Sequence, residues 1–133
     1  HSWDAHEELL TNCVDLWDDL GLHYEVVNIC TGDMGTVAAK KYDLEAWLPG
    51  RGEYKEIVSC SNCTDYQANR LRMRYRTTEG NAAVHTLNST AVATTRALVA
   101  IMAQNQVADG RVRIPDVLQP YMSGQEMLES CNW

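Results

Sequence analysis

Between Glu79 and Asp109 the chain carries one Asp, Glu, Lys or Arg side chain, Arg96. It lies in the run from Asn88 to Met102, among small and apolar residues. An arginine keeps its charge at physiological pH, so it must meet an anion or reach water. A guanidinium at the rim of an apolar helix can grip a phosphate or carboxylate through two parallel hydrogen bonds. It can equally snorkel to solvent or pair with an acid elsewhere in the chain. Spacing alone leaves both open.

Three further groups have chemical potential. In Glu53–Ser59, the Glu56 carboxylate and the Ser59 hydroxyl are oxygen donors near a strand end. They could hold Mg²⁺, with nucleotide phosphates completing its shell, or be a solvent-facing acid and a turn serine. Strict alternation puts Glu56 on a face with Tyr54 and Val58, and Ile57 on a face with Lys55 and Ser59. Asn88-Ser89-Thr90 falls where a strand gives way to a helix. Two of these side chains could read a small polar ligand, or any of them could cap the helix. Arg70, Arg72, Arg74 and Arg76 alternate with Leu71, Met73 and Tyr75, which predicts four arginines on one strand face. That face could meet nucleic-acid phosphates or be solvated and paired with some of the 18 acids.

Other chemistries are disfavoured. No Ser/His/Asp triad is readable, and Gly32 and Gly35 do not make a phosphate loop. Cys60-Ser61-Asn62-Cys63 is a lone C-x-x-C. A structural zinc site needs four ligands, and His1, His6, His23 and His85 are dispersed. With Cys13, Cys30 and Cys131, these read as reduced thiols without zinc.

The elements that must position these groups follow from periodicity. Ser2–Leu20 predicts an amphipathic helix capped by Ser2 and ended by Gly21. Strands are expected at Tyr24–Cys30, Lys41–Leu48 and Glu53–Ser59, the last two forming a hairpin around Pro49-Gly50. A short helix capped by Thr64 is expected over Thr64–Asn69. The arginine strand then turns at Glu79-Gly80-Asn81 into a strand over Ala82–Leu87. A long helix is expected over Ala91–Val107. One helix, several mostly antiparallel strands and another helix make an α+β fold.

With 133 residues and 45% hydrophobic composition, the chain suits a single domain. Its net charge of −7 disfavours a free-standing nucleic-acid module. The weakly polar run Ala91–Val107 contains Arg96, Gln104, Asn105 and Gln106 and does not read as a membrane span. The acidic start lacks an apolar signal core. These features read as a cytoplasmic chain without a membrane association.

Several longer segments occur together and in order. They are Thr31–Gly35, Tyr42–Pro49, Glu56–Cys63, His85–Thr90, Arg96 and Arg113–Met122. Over about Ser2 to Met122 the sequence resembles the C-terminal part of the catalytic domain in the seryl-tRNA synthetase family of class II synthetases. The resemblance implies an antiparallel sheet flanked by helices. It implies activation of serine with ATP to seryl-adenylate and transfer to the 3′ end of tRNA(Ser). It assigns Glu56, Ile57, Val58, Ser59 and Arg96 to ATP, Glu56 and Ser59 to Mg²⁺ bound with ATP, and Asn88 and Thr90 to serine. Arg96 matches the motif 3 arginine, a catalytic residue against the nucleotide, which selects the phosphate reading. Val58 stands where many members have serine.

On the same resemblance, residues 1–133 form one domain portion that includes motif 3. Motif 1, motif 2 and the N-terminal tRNA-binding arm lie outside it, so the chain alone is expected to be inactive. The intact enzyme is expected to be a homo-oligomer. The uncovered sheet edge and apolar surface of the chain would favour self-association. The competing readings are an amino acid:carrier-protein ligase and a non-catalytic synthetase-like interaction module.

Overall fold

The computed structural model describes residues 1–129; Cys131 lies outside the described residues. The chain runs α1 (Ser2–Asp19), β1 (Tyr24–Asn28), β2 (Lys40–Leu48), β3 (Glu53–Asn62), α2 (Tyr66–Leu71), β4 (Arg74–Thr77), β5 (Gly80–Ala83), β6 (Leu87–Ser89) and α3 (Thr94–Asn105). Two short strands, β7 (Val112–Arg113) and β8 (Met127–Leu128), flank a 3-10 helix at Asp116–Met122. This is the expected α+β arrangement, with an antiparallel four-stranded sheet ordered β1-β2-β3-β6.

One helix-side core joins these parts. Cys13 and Trp17 of α1, Leu44 and Ala46 of β2, Ile57 and Val58 of β3, and Ala97 and Ala100 of α3 pack in one buried cluster. The small residues of α3 let its backbone approach the sheet closely. The buried His6 lies in α1 one helical stripe from Cys13. It donates from Nε2 to the Cys60 carbonyl at 3.1 Å and stacks on Tyr42. The Trp17 indole N–H donates to the Ala91 carbonyl at 3.1 Å, tying α1 to the segment that leads into α3.

The β2–β3 hairpin carries the feature that decides the site. Its turn closes with the N–H groups of Arg51 and Gly52 donating to the Leu48 carbonyl, Gly52 at φ +66°. Further along, Leu44 faces Val58 but Glu45 faces Glu56, so Ile57 is an extra residue in β3. This is a β-bulge, which breaks strict alternation. Ile57 and Val58 consequently both enter the core.

Several local expectations are corrected. Helix α1 begins at Ser2 with His1 as its cap residue, because Asp4 turns back onto the His1 nitrogen at 2.9 Å. Ser2 therefore does not cap it. Helix α2 begins at Tyr66 after Asp65, and Thr64 takes φ +46°. Asn88 and Ser89 belong to β6, and α3 starts four residues after Thr90 with Ala93 as its cap residue. None of Asn88, Ser89 or Thr90 caps it. Ser89 is instead drawn to α1, where its hydroxyl shares a 3.3 Å hydrogen bond with the Cys13 thiol.

The four-arginine strand face does not form. Arg70 lies in α2, and Arg72 ends that helix in the left-handed region at φ 56°. Burial of Ala68 and stacking of the Arg70 guanidinium over the Tyr66 ring, one turn back, favour the helix. Only Arg74 and Arg76 share a strand face, on β4.

Cys60 and Cys63 are buried free thiols. Burial pushes the Cys60 thiol up from its ordinary value, against a lowering hydrogen bond from Ser89. Cys30 is exposed. Since the thiolate is the reactive form, brief alkylation of the folded chain at neutral pH should label Cys30 well before Cys13, Cys60 or Cys63. Peptide mapping by mass spectrometry reads this out, and early labelling of Cys60 would contradict the buried placement.

Candidate active site

Cross-strand partners share a face of the sheet. Glu45 is opposite Glu56, and Asp43 is opposite Ser59. Glu45 and Asp43 are two apart on β2 and therefore point the same way. Glu56 and Ser59 thus share a face despite their odd spacing, because the bulge at Ile57 resets the alternation. The same face continues through Ser61 to its partner Asn88. Beyond β6, the Thr90 N–H donates to the Ser59 carbonyl at 3.1 Å.

Arg96 stands in the first turn of α3 and reaches the part of β3 that β6 does not cover. It donates from Nη1 to the Glu56 carboxylate at 2.7 Å and to the Glu56 backbone carbonyl at 3.1 Å. Their side chains are 54% and 40% exposed. The anion that Arg96 meets is therefore Glu56, and the pair is open to water.

Both residues line a hollow of about 500 Å³ with Glu45, Arg51, Tyr54, Lys55, Ile57, Thr95 and Val99 among its walls. Ser59, Asn88 and Thr90 are not among its lining residues. Asn88 lines a separate hollow of about 320 Å³ with Lys41, Ser61, Gln67 and the Met34–Ala38 loop. Glu56 and Arg96 thus line one hollow and Asn88 another, while Ser59 and Thr90 line neither. The Ile57 and Val58 side chains are 2% and 1% exposed. Both side chains pack in the core, and Ile57 also lines the larger hollow.

The structure adds residues that sequence reasoning missed. Glu25, Glu45 and Glu56 form one cross-strand row. Like charges directly opposite one another are destabilising, and Arg96 offsets this at one end. The Glu45 carboxyl is held above its ordinary value by burial first and then by the charges of Glu25, Asp43 and Glu56. Asp43 pairs with Lys41 at 3.0 Å, their side chains 5% and 17% exposed. Its Oδ1 is buried without a hydrogen-bond partner among the described residues. The signal for Glu45 and Asp43 was their two-residue spacing in β2, but the bulge was needed to align them with Glu56 and Ser59.

A helix-backed antiparallel sheet, with an acid and an arginine facing each other across its open edge, defines the class of the molecule. Residues 1–105 match the family model of the tRNA synthetase class II core domain (G, H, P, S and T), and the chain belongs to this family. Within it, similar proteins include serine–tRNA ligases. The chain is 60% identical to that of Methanocorpusculum labreanum over 130 residues, covering 96% of this chain and 31% of the relative. It is 60% identical to that of Thermoplasma acidophilum over 124 residues, 93% of this chain and 28% of the relative.

Solved structures agree. The seryl-tRNA synthetase of Pyrococcus horikoshii complexed with ATP superposes with a TM-score of 0.93 at 53% identity, covering 98% of this chain and 30% of that one. The cytoplasmic serine–tRNA ligase of Naegleria fowleri in complex with AMP gives 0.91 at 45% identity, covering 99% and 31%. The chain therefore spans about 30% of the length of these relatives. Among the described residues no helix is long and apolar enough to cross a membrane.

Proposed function

We propose that the intact protein carrying this chain is a cytoplasmic serine–tRNA ligase, and that this chain supplies the motif 3 side of its active site. Motif 1, motif 2 and the tRNA-binding arm belong to the part outside the chain, and the intact protein is a homo-oligomer. The ATP and AMP complexes of its structural relatives support nucleotide binding at this fold. The observation that carries the reading is the solvent-open contact between Glu56 and Arg96 at the wall of the larger hollow.

That contact is built for exchange. An exposed ion pair contributes only about 0–1 kcal/mol, so Arg96 can trade Glu56 for a nucleotide phosphate at little cost. Glu56 is then free to act as a metal ligand. Its carboxylate and the Ser59 hydroxyl, turned to one face by the bulge, are hard oxygen donors that fit Mg²⁺. When bound there, the metal supplies neutralisation of phosphate charge.

Arg96 binds the α-phosphate, where negative charge builds as the serine carboxylate oxygen attacks the phosphorus. The bond from that phosphorus to the bridging oxygen breaks, and pyrophosphate leaves. The terminal hydroxyl of tRNA(Ser) then takes the seryl group and releases AMP. Asn88 and Thr90 hold the serine side chain. Asn88 is fixed in register by its pairing with Ser61 of β3, and Thr90 is held by its N–H bond to the Ser59 carbonyl.

Serine-dependent ATP–pyrophosphate exchange tests the proposal. The intact protein should exchange robustly. The isolated chain should show none above background, since the charge-stabilising groups of motif 2 are outside it. An intact protein that exchanges with another amino acid, or with none, overturns the reading.

A further inference from the structure

Seven of the eleven Lys and Arg side chains sit in ion pairs: Lys40, Lys41, Arg51, Lys55, Arg96, Arg111 and Arg113. The other four are Arg70, Arg72, Arg74 and Arg76. None of these four meets a carboxylate among the described residues. The segregation is sharp for a chain of net charge −7 with 18 acids. Every residue from Asn69 to Arg76 is exposed, with Leu71 at 70% and Tyr75 at 53%.

We propose that this corner, from the end of α2 through β4, docks the phosphate backbone of RNA. Two of the arginines are held in place. Arg70 lies flat over Tyr66 at 3.5 Å, and Arg74 donates to the Ala68 and Met73 carbonyls and to Asn69. Arg72 and Arg76 have no side-chain hydrogen bond among the described residues. These two guanidinium groups are the ones open to phosphate. Guanidinium groups suit phosphate through their forked geometry.

A second observation points to the same ligand. Tyr75 lies on the face of β4 opposite Arg74 and Arg76, and it lines a hollow of about 450 Å³ together with Trp3 and His85. Aromatic and imidazole rings of this kind stack unpaired bases. An RNA strand wrapping the edge of the β4–β5 ribbon meets phosphate donors on one face and stacking rings on the other. An acidic protein segment would use the arginines but leave the ring-lined hollow without a role, so RNA is the better fit.

The inference rests on the ligase reading, and its test separates the two. Arg72→Gln/Arg76→Gln and, separately, Tyr75→Ala are made in the intact protein. Binding of a tRNA(Ser) transcript is followed by fluorescence anisotropy across a salt series, beside serine-dependent exchange, which needs no tRNA. The double variant should bind the transcript about tenfold more weakly near 0.1 M salt, with the slope of log K against log salt reduced by about 1.5–2. Tyr75→Ala should weaken binding by about tenfold with the slope unchanged. Exchange should stay at the unsubstituted level in both.

Unchanged affinity and slope in the double variant overturn the proposal. So does a loss of oligomeric state or thermal stability with affinity intact, which would assign the corner to an acidic protein segment. Absence of exchange in the unsubstituted protein counts against the ligase reading alone, because the anisotropy series still measures docking.

Discussion

Arg96→Ala in the intact protein is expected to lower serine-dependent ATP–pyrophosphate exchange by about 10²–10³-fold, the usual cost of removing one charge-stabilising donor from a transition state. The effect is electrostatic. Arg96 is the lone charged side chain of a long apolar stretch and is positioned by the first turn of α3. It donates to the Glu56 carboxylate at 2.7 Å. The loss should fall on turnover rather than on folding, because its pair with Glu56 is half-exposed and such pairs add at most about 1 kcal/mol. Arg96→Lys keeps the charge but loses the fork and should recover only part of the rate. Near-normal exchange in Arg96→Ala with the fold intact would remove Arg96 from the chemistry.

The second large effect is on stability. Trp17 is fully buried at the centre of the helix-side core, and its indole N–H satisfies the Ala91 carbonyl. Trp17→Ala should cost about 3–5 kcal/mol through the cavity it leaves. A domain of this size holds about 5–15 kcal/mol in all, so the loss is a large share of the total. Trp17→Phe keeps much of the volume and loses the hydrogen bond, and should fall between. Urea denaturation followed by circular dichroism gives both values. A cost below about 1 kcal/mol for Trp17→Ala would mean that α1 is not anchored on the sheet through this residue.

The two effects are linked through the chain. Trp17 grips Ala91, and α3 begins three residues later with Arg96 in its first turn. The packing of α1 thus bears on where the guanidinium stands.

Much of this was legible in the sequence because it rests on local physics. The apolar stripe of α1, the β2–β3 hairpin around Pro49-Gly50 and the isolation of Arg96 can each be read from neighbours within a few positions. The bulge at Ile57 could not. It depends on which β2 residue faces which β3 residue, and strict alternation would have put Glu56 and Ser59 on opposite faces. The arginine run misled for a related reason. Its period of two was genuine, but burial of Ala68 and the Tyr66–Arg70 stack held the first part in a helix. Asn88 and Ser89 sit where the sequence predicts a strand giving way to a helix, but pairing with Ser61 and Cys60 keeps them in the sheet.

On nucleotide binding, Arg96 is expected to exchange Glu56 for a phosphate, leaving Glu56 to hold a metal. A crystal structure of the intact protein with ATP and Mg²⁺ tests it most directly. The Arg96 guanidinium should then lie within hydrogen-bond distance of a phosphate oxygen, no longer on the Glu56 carboxylate, with Mg²⁺ on the Glu56 and Ser59 oxygens. Nucleotide bound with the 2.7 Å contact between Arg96 and Glu56 still in place, and the metal held elsewhere, would contradict it.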